Sequence, residues 1–152
     1  MPVRAKICGI NDAASMRAAV AAGASHVGLV FYRPSPRHVR SAEAAALAAL
    51  VPAGITKVGL FVDANDAEID VVLAATPLDL LQLHGKEPPA RVVALKARTG
   101  VQVMKVIKVT VQSDLDAAAP YGDAADWLMF DAKPPVDMVN ALPGGNAVSF
   151  EW

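Results

Sequence analysis

Six short apolar runs recur along this chain, each too brief for a helix and each ending in a polar or glycine-rich stop. That rhythm restricts the chain to folds in which strands alternate with helices. The runs occupy 3–8, 26–31, 57–62, 78–83, 103–109 and 127–130. They are rich in Val, Ile and Leu without strict alternation, the pattern of strands buried on both faces in a parallel sheet. Between them lie alanine-rich segments of helical spacing at 12–22, 41–50, 66–75 and 88–98, with a weaker one at 114–119. Asn65 is expected to cap the third segment, with Glu68 reaching back, and Ser41 the second. Pro88-Pro89 suits a first helical turn, and Gly23 and Gly100 stand where a helix end favours a left-handed residue. Repeating strand–helix units of roughly 20 to 30 residues predict an α/β chain of (β/α) barrel type. No low-complexity linker interrupts it, so residues 1–152 are expected to form one domain.

In such a barrel, residues at the carboxyl ends of the strands converge on one rim and do the chemistry. Three strand–loop stretches carry suitable groups: Lys6-Ile7-Cys8-Gly9, Ser35-Pro36-Arg37 and Leu128-Met129-Phe130-Asp131. A lone cysteine in an apolar strand is ordinarily a small buried hydrophobe, but Cys8 stands at the strand end, before Gly9. Asp131, from position alone, serves equally as a helix cap or as an acid. Arg37 presents a planar fork suited to a carboxylate, on a loop stiffened by Pro36. His84, at the end of the fourth strand, fits a hydrogen bond to substrate and the anchoring of a loop equally well. His26 starts its strand at the opposite rim, where a stabilising role is expected, and Gln82 reads as a satisfied barrel residue between core leucines. Lys6 is expected on the opposite face of its strand from Cys8 and is not credited with activating the thiol.

Composition narrows the function further. With 14 Lys and Arg against 15 Asp and Glu, the net charge is −1 and the charges are scattered, unlike the basic stripe that nucleic-acid binding needs. A single cysteine excludes an internal disulfide and no Cys/His cluster has zinc spacing, so no structural metal is expected. The hydrophobic fraction of 54% suits a packed core, yet no run reaches the ~18 apolar residues of a membrane span. The start, Met1-Pro2-Val3-Arg4-Ala5-Lys6, has no signal-peptide apolar region, and a cytoplasmic location is expected.

Five motifs occur together and in order: Lys6-Ile7-Cys8-Gly9; Val27-Gly28-Leu29-Val30-Phe31 followed by Ser35-Pro36-Arg37; Val58-Gly59-Leu60-Phe61-Val62; Leu81-Gln82-Leu83-His84-Gly85; and Leu128-Met129-Phe130-Asp131. In this order they resemble the phosphoribosylanthranilate isomerases of tryptophan biosynthesis, and Pro143-Gly144-Gly145 leading to Phe150-Glu151-Trp152 resembles that family's loop before the sixth helix. The resemblance spans the chain. It implies a (β/α)8 TIM barrel of which about six β/α units are present, and an Amadori rearrangement of N-(5-phosphoribosyl)anthranilate to the aminoketose, with no cofactor. It implies Asp131 as acid, Cys8 as base and Arg37 on the anthranilate carboxylate, with His84 and Lys6 as further substrate-binding candidates. The partner is then a small phosphosugar, with no nucleic acid and no membrane. Ala147 and Glu151 depart from the glycine and aspartate usual in the last loop.

The strand count sets two further expectations. Six strands fall short of the eight that close a barrel, so the domain is expected to be incomplete at its C-terminus. The family holds substrate phosphate in loops after the seventh and eighth strands, so the 152-residue chain alone is expected to show little or no turnover. Three alternatives stay open. One is another phosphosugar barrel, and another is an inactive fragment forming homo-oligomers through open sheet edges. The third is an open flavodoxin-type sheet, which would normally carry a phosphate-binding glycine loop after its first strand.

Overall fold

The structure, a computed structural model, describes residues 3–134 together with Met138, Leu142, Gly144, Asn146 and Ser149. Six parallel strands pair strictly in chain order: β1 (Lys6–Cys8), β2 (His26–Val30), β3 (Thr56–Phe61), β4 (Leu80–Leu83), β5 (Gln102–Val109) and β6 (Trp127–Ala132). A flavodoxin-type sheet would have reordered its first strands. Sequential order is what a closing barrel requires, and it removes that alternative. The register runs Cys8 beside Gly28, Gly28 beside Val58, Val58 beside Leu80, and Leu80 beside Gln102.

Four helices cover the outer face: α1 (Ala13–Ala21), α2 (Ser41–Ala48), α3 (Asp66–Ala75) and α4 (Pro89–Thr99). Asn65 accepts from the Glu68 N–H at 3.0 Å while Glu68 accepts from the Asn65 N–H at 2.9 Å, the reciprocal cap expected of that pair. Ser41 does not cap α2. The helix begins one residue earlier, with Arg40 at the cap position and its N–H donating to Glu43 at 2.8 Å, so a carboxylate in the first turn replaces the hydroxyl cap. Gly23 and Gly100 take φ of +76° and +67°. The segment expected at 114–119 is a 3₁₀ helix, Gln112–Tyr121, with Pro120 inside it. Its ring nitrogen has no hydrogen to give a longer helical ladder. The first strand starts at Lys6 rather than residue 3, and the fourth at Leu80 rather than residue 78.

The central strands β2–β5 are buried on both sides, and the core is correspondingly double, whereas β1 and β6, expected to be buried likewise, lie at the edges and stay largely open. Outside the sheet, Phe61, Leu81, Leu83 and Val103 pack against Ile69, Val72, Val92 and Leu95 of α3 and α4. A neighbouring cluster joins Val27 and Leu29 to Met16 and Leu47. Inside the curl, Val58, Leu80 and Met104 pack with Met129. Each such side chain contributes about 1.5–3 kcal/mol on full burial. At the amino-terminal rim the rings of His26 and Trp127 meet edge to face, with centroids 6.4 Å apart, drawing β2 toward β6. His26 also contacts Ser25 Oγ at 3.0 Å, in keeping with a stabilising role. On the outer faces of the edge strands, Ile7 and Phe130 are 45% and 39% exposed.

Candidate active site

Curling the sheet brings the carboxyl ends of distant strands around one cavity of about 300 Å³. Its wall includes Lys6, Cys8, Gly9, Arg37, Gln82, His84, Asp131 and Gly144. Cys8 and Asp131 come from the two edge strands and face the same space, separated in sequence by most of the chain. Every candidate named from the sequence lies in this wall.

Gly9 explains how Arg37 gets there. Its φ is +81°, a region that side chains rarely adopt, and a Cβ on Gly9 would lie 2.3 Å from Arg37 Cδ. The bare backbone therefore turns away from β1 and lets the arginine stem lie across it beside the thiol. Ser35 Oγ accepts from the Arg37 N–H at 3.2 Å, which holds the loop that delivers the guanidinium.

Lys6 is placed differently from expectation. Residues two apart on a strand share a face, so Lys6 points inward with Cys8. Gly28, next to both, makes room for them: a Cβ there would lie 2.9 Å from Cys8 Sγ and 3.3 Å from Lys6 Nζ. The ammonium and the thiol thus approach the same point inside the curl. Arg37 supplies the second cation of the wall.

On the opposite wall, His84 Nε2 lies 3.1 Å from Asp131 Oδ2, and its Nδ1 lies 3.3 Å from Gln82 Nε2. Both ring nitrogens are engaged within the protein. Gln82 is not the satisfied barrel residue expected: its Oε1 is buried without a partner among the described residues. A Cβ on Gly144 would fall 2.4 Å from His84 Cε1 and 3.2 Å from Asp131 Oδ2, so the Gly144 backbone sits close against the pair. The departures at Ala147 and Glu151, and most of the Pro143-to-Trp152 stretch, lie outside the described residues. Among the described residues no three His, Cys, Asp or Glu side chains cluster as metal ligands, and no helix is long and apolar enough to cross a membrane.

A second polar group at the same rim was not foreseen from the sequence. On the outer side of the sheet Lys105 and Glu87 pair at 2.7 Å, with side chains 3% and 4% exposed. Lys105 also donates to the Gly85 carbonyl at 2.7 Å, and Glu87 accepts from the Asp63 and Gly85 N–H groups at 2.8 and 3.0 Å. Tyr121 Oη donates to the Glu87 carbonyl at 2.9 Å. Burial, together with the Glu87 charge, raises the Tyr121 phenol above its ordinary value. The signal was present: a lysine inside a strand buried on both faces requires a partner.

The family model described as N-(5'phosphoribosyl)anthranilate (PRA) isomerase matches residues 5–152. The chain belongs to that family. It is 57% identical over 152 residues to the N-(5'-phosphoribosyl)anthranilate isomerase of Paracoccus denitrificans, covering all of this chain and 70% of that protein. To the isomerase of Rhodospirillum centenum it is 56% identical, covering 71% of it. The crystal structure of the Thermotoga maritima phosphoribosyl anthranilate isomerase superposes with a TM-score of 0.79 at 31% identity, covering 89% of this chain and 64% of that one. A phosphoribosyl anthranilate isomerase in complex with reduced 1-(o-carboxyphenylamino)-1-deoxyribulose 5-phosphate gives 0.78 at 30% identity, covering 87% of this chain and 66% of that one. The chain thus spans just under two thirds of the length of these solved relatives. The six strands are those of a TIM barrel, seen as a curled part of the ring.

Proposed function

We propose that this chain performs the acid–base chemistry of phosphoribosylanthranilate isomerisation, with Asp131 as acid, Cys8 as base and Arg37 as the carboxylate clamp. The observation that carries the reading is the meeting of Cys8 and Asp131, from β1 and β6, across one cavity that Arg37 also lines. Asp131 protonates the furanose oxygen, and the C1–O electron pair leaves with that oxygen while the anthranilate nitrogen forms a C=N⁺ bond. Cys8 thiolate then takes the C2 proton, and the resulting enolamine tautomerises to the aminoketose. One acid and one base on opposite faces of the sugar are what these two proton transfers need.

The substrate is doubly anionic in character, carrying a carboxylate and a phosphate, and the cavity answers with Lys6 and Arg37. No ion pair among the described residues engages either side chain. The partner is a small phosphosugar. Self-association accompanies this reading, in line with the Thermotoga maritima relative described as dimeric, and the site of action is the cytoplasm.

Loss of anthranilate-sugar fluorescence on incubation with N-(5-phosphoribosyl)anthranilate tests the reading directly. Turnover, however slow, is expected to fall by roughly 10²–10⁴ in Cys8→Ala and in Asp131→Asn. Turnover near the wild-type rate in either folded variant defeats the assignment. A second readout needs no turnover: the reduced product analogue is expected to shield Cys8 from iodoacetamide, and Arg37→Ala to abolish the shielding.

A further inference from the structure

We propose that Gln82 is a positioning residue for the acid, fixing the tautomer of His84 so that Nε2–H is held on Asp131 Oδ2; this rests on the acid role given to Asp131 above. Gln82 is 2% exposed and stands two residues before His84 on β4, facing the cavity. Its amide nitrogen, 3.3 Å from His84 Nδ1, has only hydrogens to offer. Nδ1 must therefore accept with its lone pair, and the single ring proton resides on Nε2, 3.1 Å from Asp131 Oδ2. Oδ2 is then an acceptor, and the transferable proton sits on Oδ1.

The arrangement matters at the moment of transfer. When the Oδ1 proton passes to the furanose oxygen, negative charge develops on the carboxylate, and the N–H already aimed at Oδ2 becomes a charge-assisted donor. Donors in place before charge develops stabilise it without reorganisation. Gln82 Oε1 shows what this orientation gives up, since it stays buried without a partner among the described residues. Turning the amide over would let Oε1 accept from an Nδ1–H, but it would strip Nε2 of the proton that Asp131 needs. Gly144 pins the ring from the other side, its backbone lying too close to His84 Cε1 to admit even a methyl group.

Imidazole ¹⁵N chemical shifts of the labelled full chain decide the point, with His84 assigned through His84→Asn. The wild-type chain is expected to show an unprotonated Nδ1 and a protonated Nε2. Gln82→Glu, which keeps the shape and can only accept, is expected to move the proton to Nδ1 and to lower kcat about tenfold, the equivalent of one transition-state contact, with KM little changed. A protonated Nδ1 in the wild type, or a Gln82→Glu chain with the wild-type nitrogen pattern, overturns the proposal. The wild-type spectrum needs no variant to fold. It also needs no turnover, so a chain whose Cys8 the reduced product analogue fails to shield would count against the isomerase reading while the nitrogen pattern still decides the role of Gln82.

Discussion

Two groups of polar side chains lie on either side of the same sheet at the same rim, and they are built on opposite principles. Outside the sheet, Lys105 and Glu87 are almost fully enclosed, and each is met by the other and by backbone groups of the loop after β4. Inside, Lys6, Cys8 and Arg37 line an open cavity with no ion pair among the described residues, and Gln82 leaves an acceptor empty. A buried charge that is fully matched is spent on structure, because nothing remains for a ligand to engage. A cluster left unmatched at a barrel mouth keeps its charges and hydrogen-bonding groups free for a ligand to engage. Strand alternation sorts the two: in β5, Lys105 points outward while Met104 joins the inner core.

The sharpest way to break this contrast is to remove proton-transfer groups from the inner cluster. Cys8→Ala and Asp131→Asn are each expected to lower kcat by roughly 10²–10⁴, the usual worth of a positioned acid or base, while thermal unfolding stays near wild type. A large fall in Tm would make these residues structural and erase the distinction.

The outer cluster should behave in the reverse sense. Lys105→Met strands the Glu87 carboxylate in a dry site and is expected to destabilise the fold by about 3–5 kcal/mol. Activity per folded molecule should fall far less than in the inner variants. Replacing both partners, as Lys105→Met with Glu87→Leu, is expected to recover much of the loss, since an apolar pair leaves no charge uncompensated. Denaturant melts of the single and double variants read this, and a double variant as unstable as the single one would argue that loop hydrogen bonds, not charge pairing, hold this region.

Gly9 joins backbone shape to ligand binding, and its effect should be smaller. Gly9→Ala places a methyl group at φ of +81° against Arg37 Cδ, with a strain of about 1–2 kcal/mol for the left-handed backbone. The guanidinium is displaced, so KM is expected to rise several-fold with kcat less affected. An unchanged KM would separate Arg37 from substrate binding.

How much of this was legible in the residues follows the range of the interactions. The number and order of the strands and the Asn65–Glu68 cap depend on neighbours within a few positions, and they read correctly, while the starts of β1 and β4 and the burial of the edge strands did not. The family motifs brought Cys8, Arg37 and Asp131 together because their order encodes the ring. Lys6 was misplaced although two-residue periodicity puts it beside Cys8. The contact of His84 with Asp131 joins strands 47 residues apart, and the orphan oxygen of Gln82 exists only once β4 is packed. Neither has a local signature. Lys105 and Glu87 lie 18 residues apart, and only an unexplained charge in an apolar run hinted that a partner was needed.

A third polar group lies between the two extremes and gives the smallest, pH-dependent effect. Asp114, at the start of the 3₁₀ helix, accepts from Lys133 Nζ, just beyond β6, and from the Thr110 and Val111 N–H groups at 2.7 and 3.1 Å. These bonds, the lysine first, hold its carboxyl down at about 2. An unfolded aspartate titrates near about 3.9, so through the window between the two values the unfolded chain binds more protons than the folded one. The stability that Asp114 contributes is therefore fully present above about pH 4 and is lost as pH falls toward 2. Glu43, also held at about 2 by Arg40, titrates in the same window, which makes the difference between wild type and variant the informative quantity. Asp114→Asn is expected to flatten the acid limb of a Tm-against-pH curve, and added salt to shrink the gap, because Lys133 is 44% exposed and its charge is screened. Parallel acid limbs for the two proteins would mean that Asp114 is as weakly held in the folded chain as in the unfolded one. The tie between the end of β5 and the end of β6 would then have to come from the sheet alone.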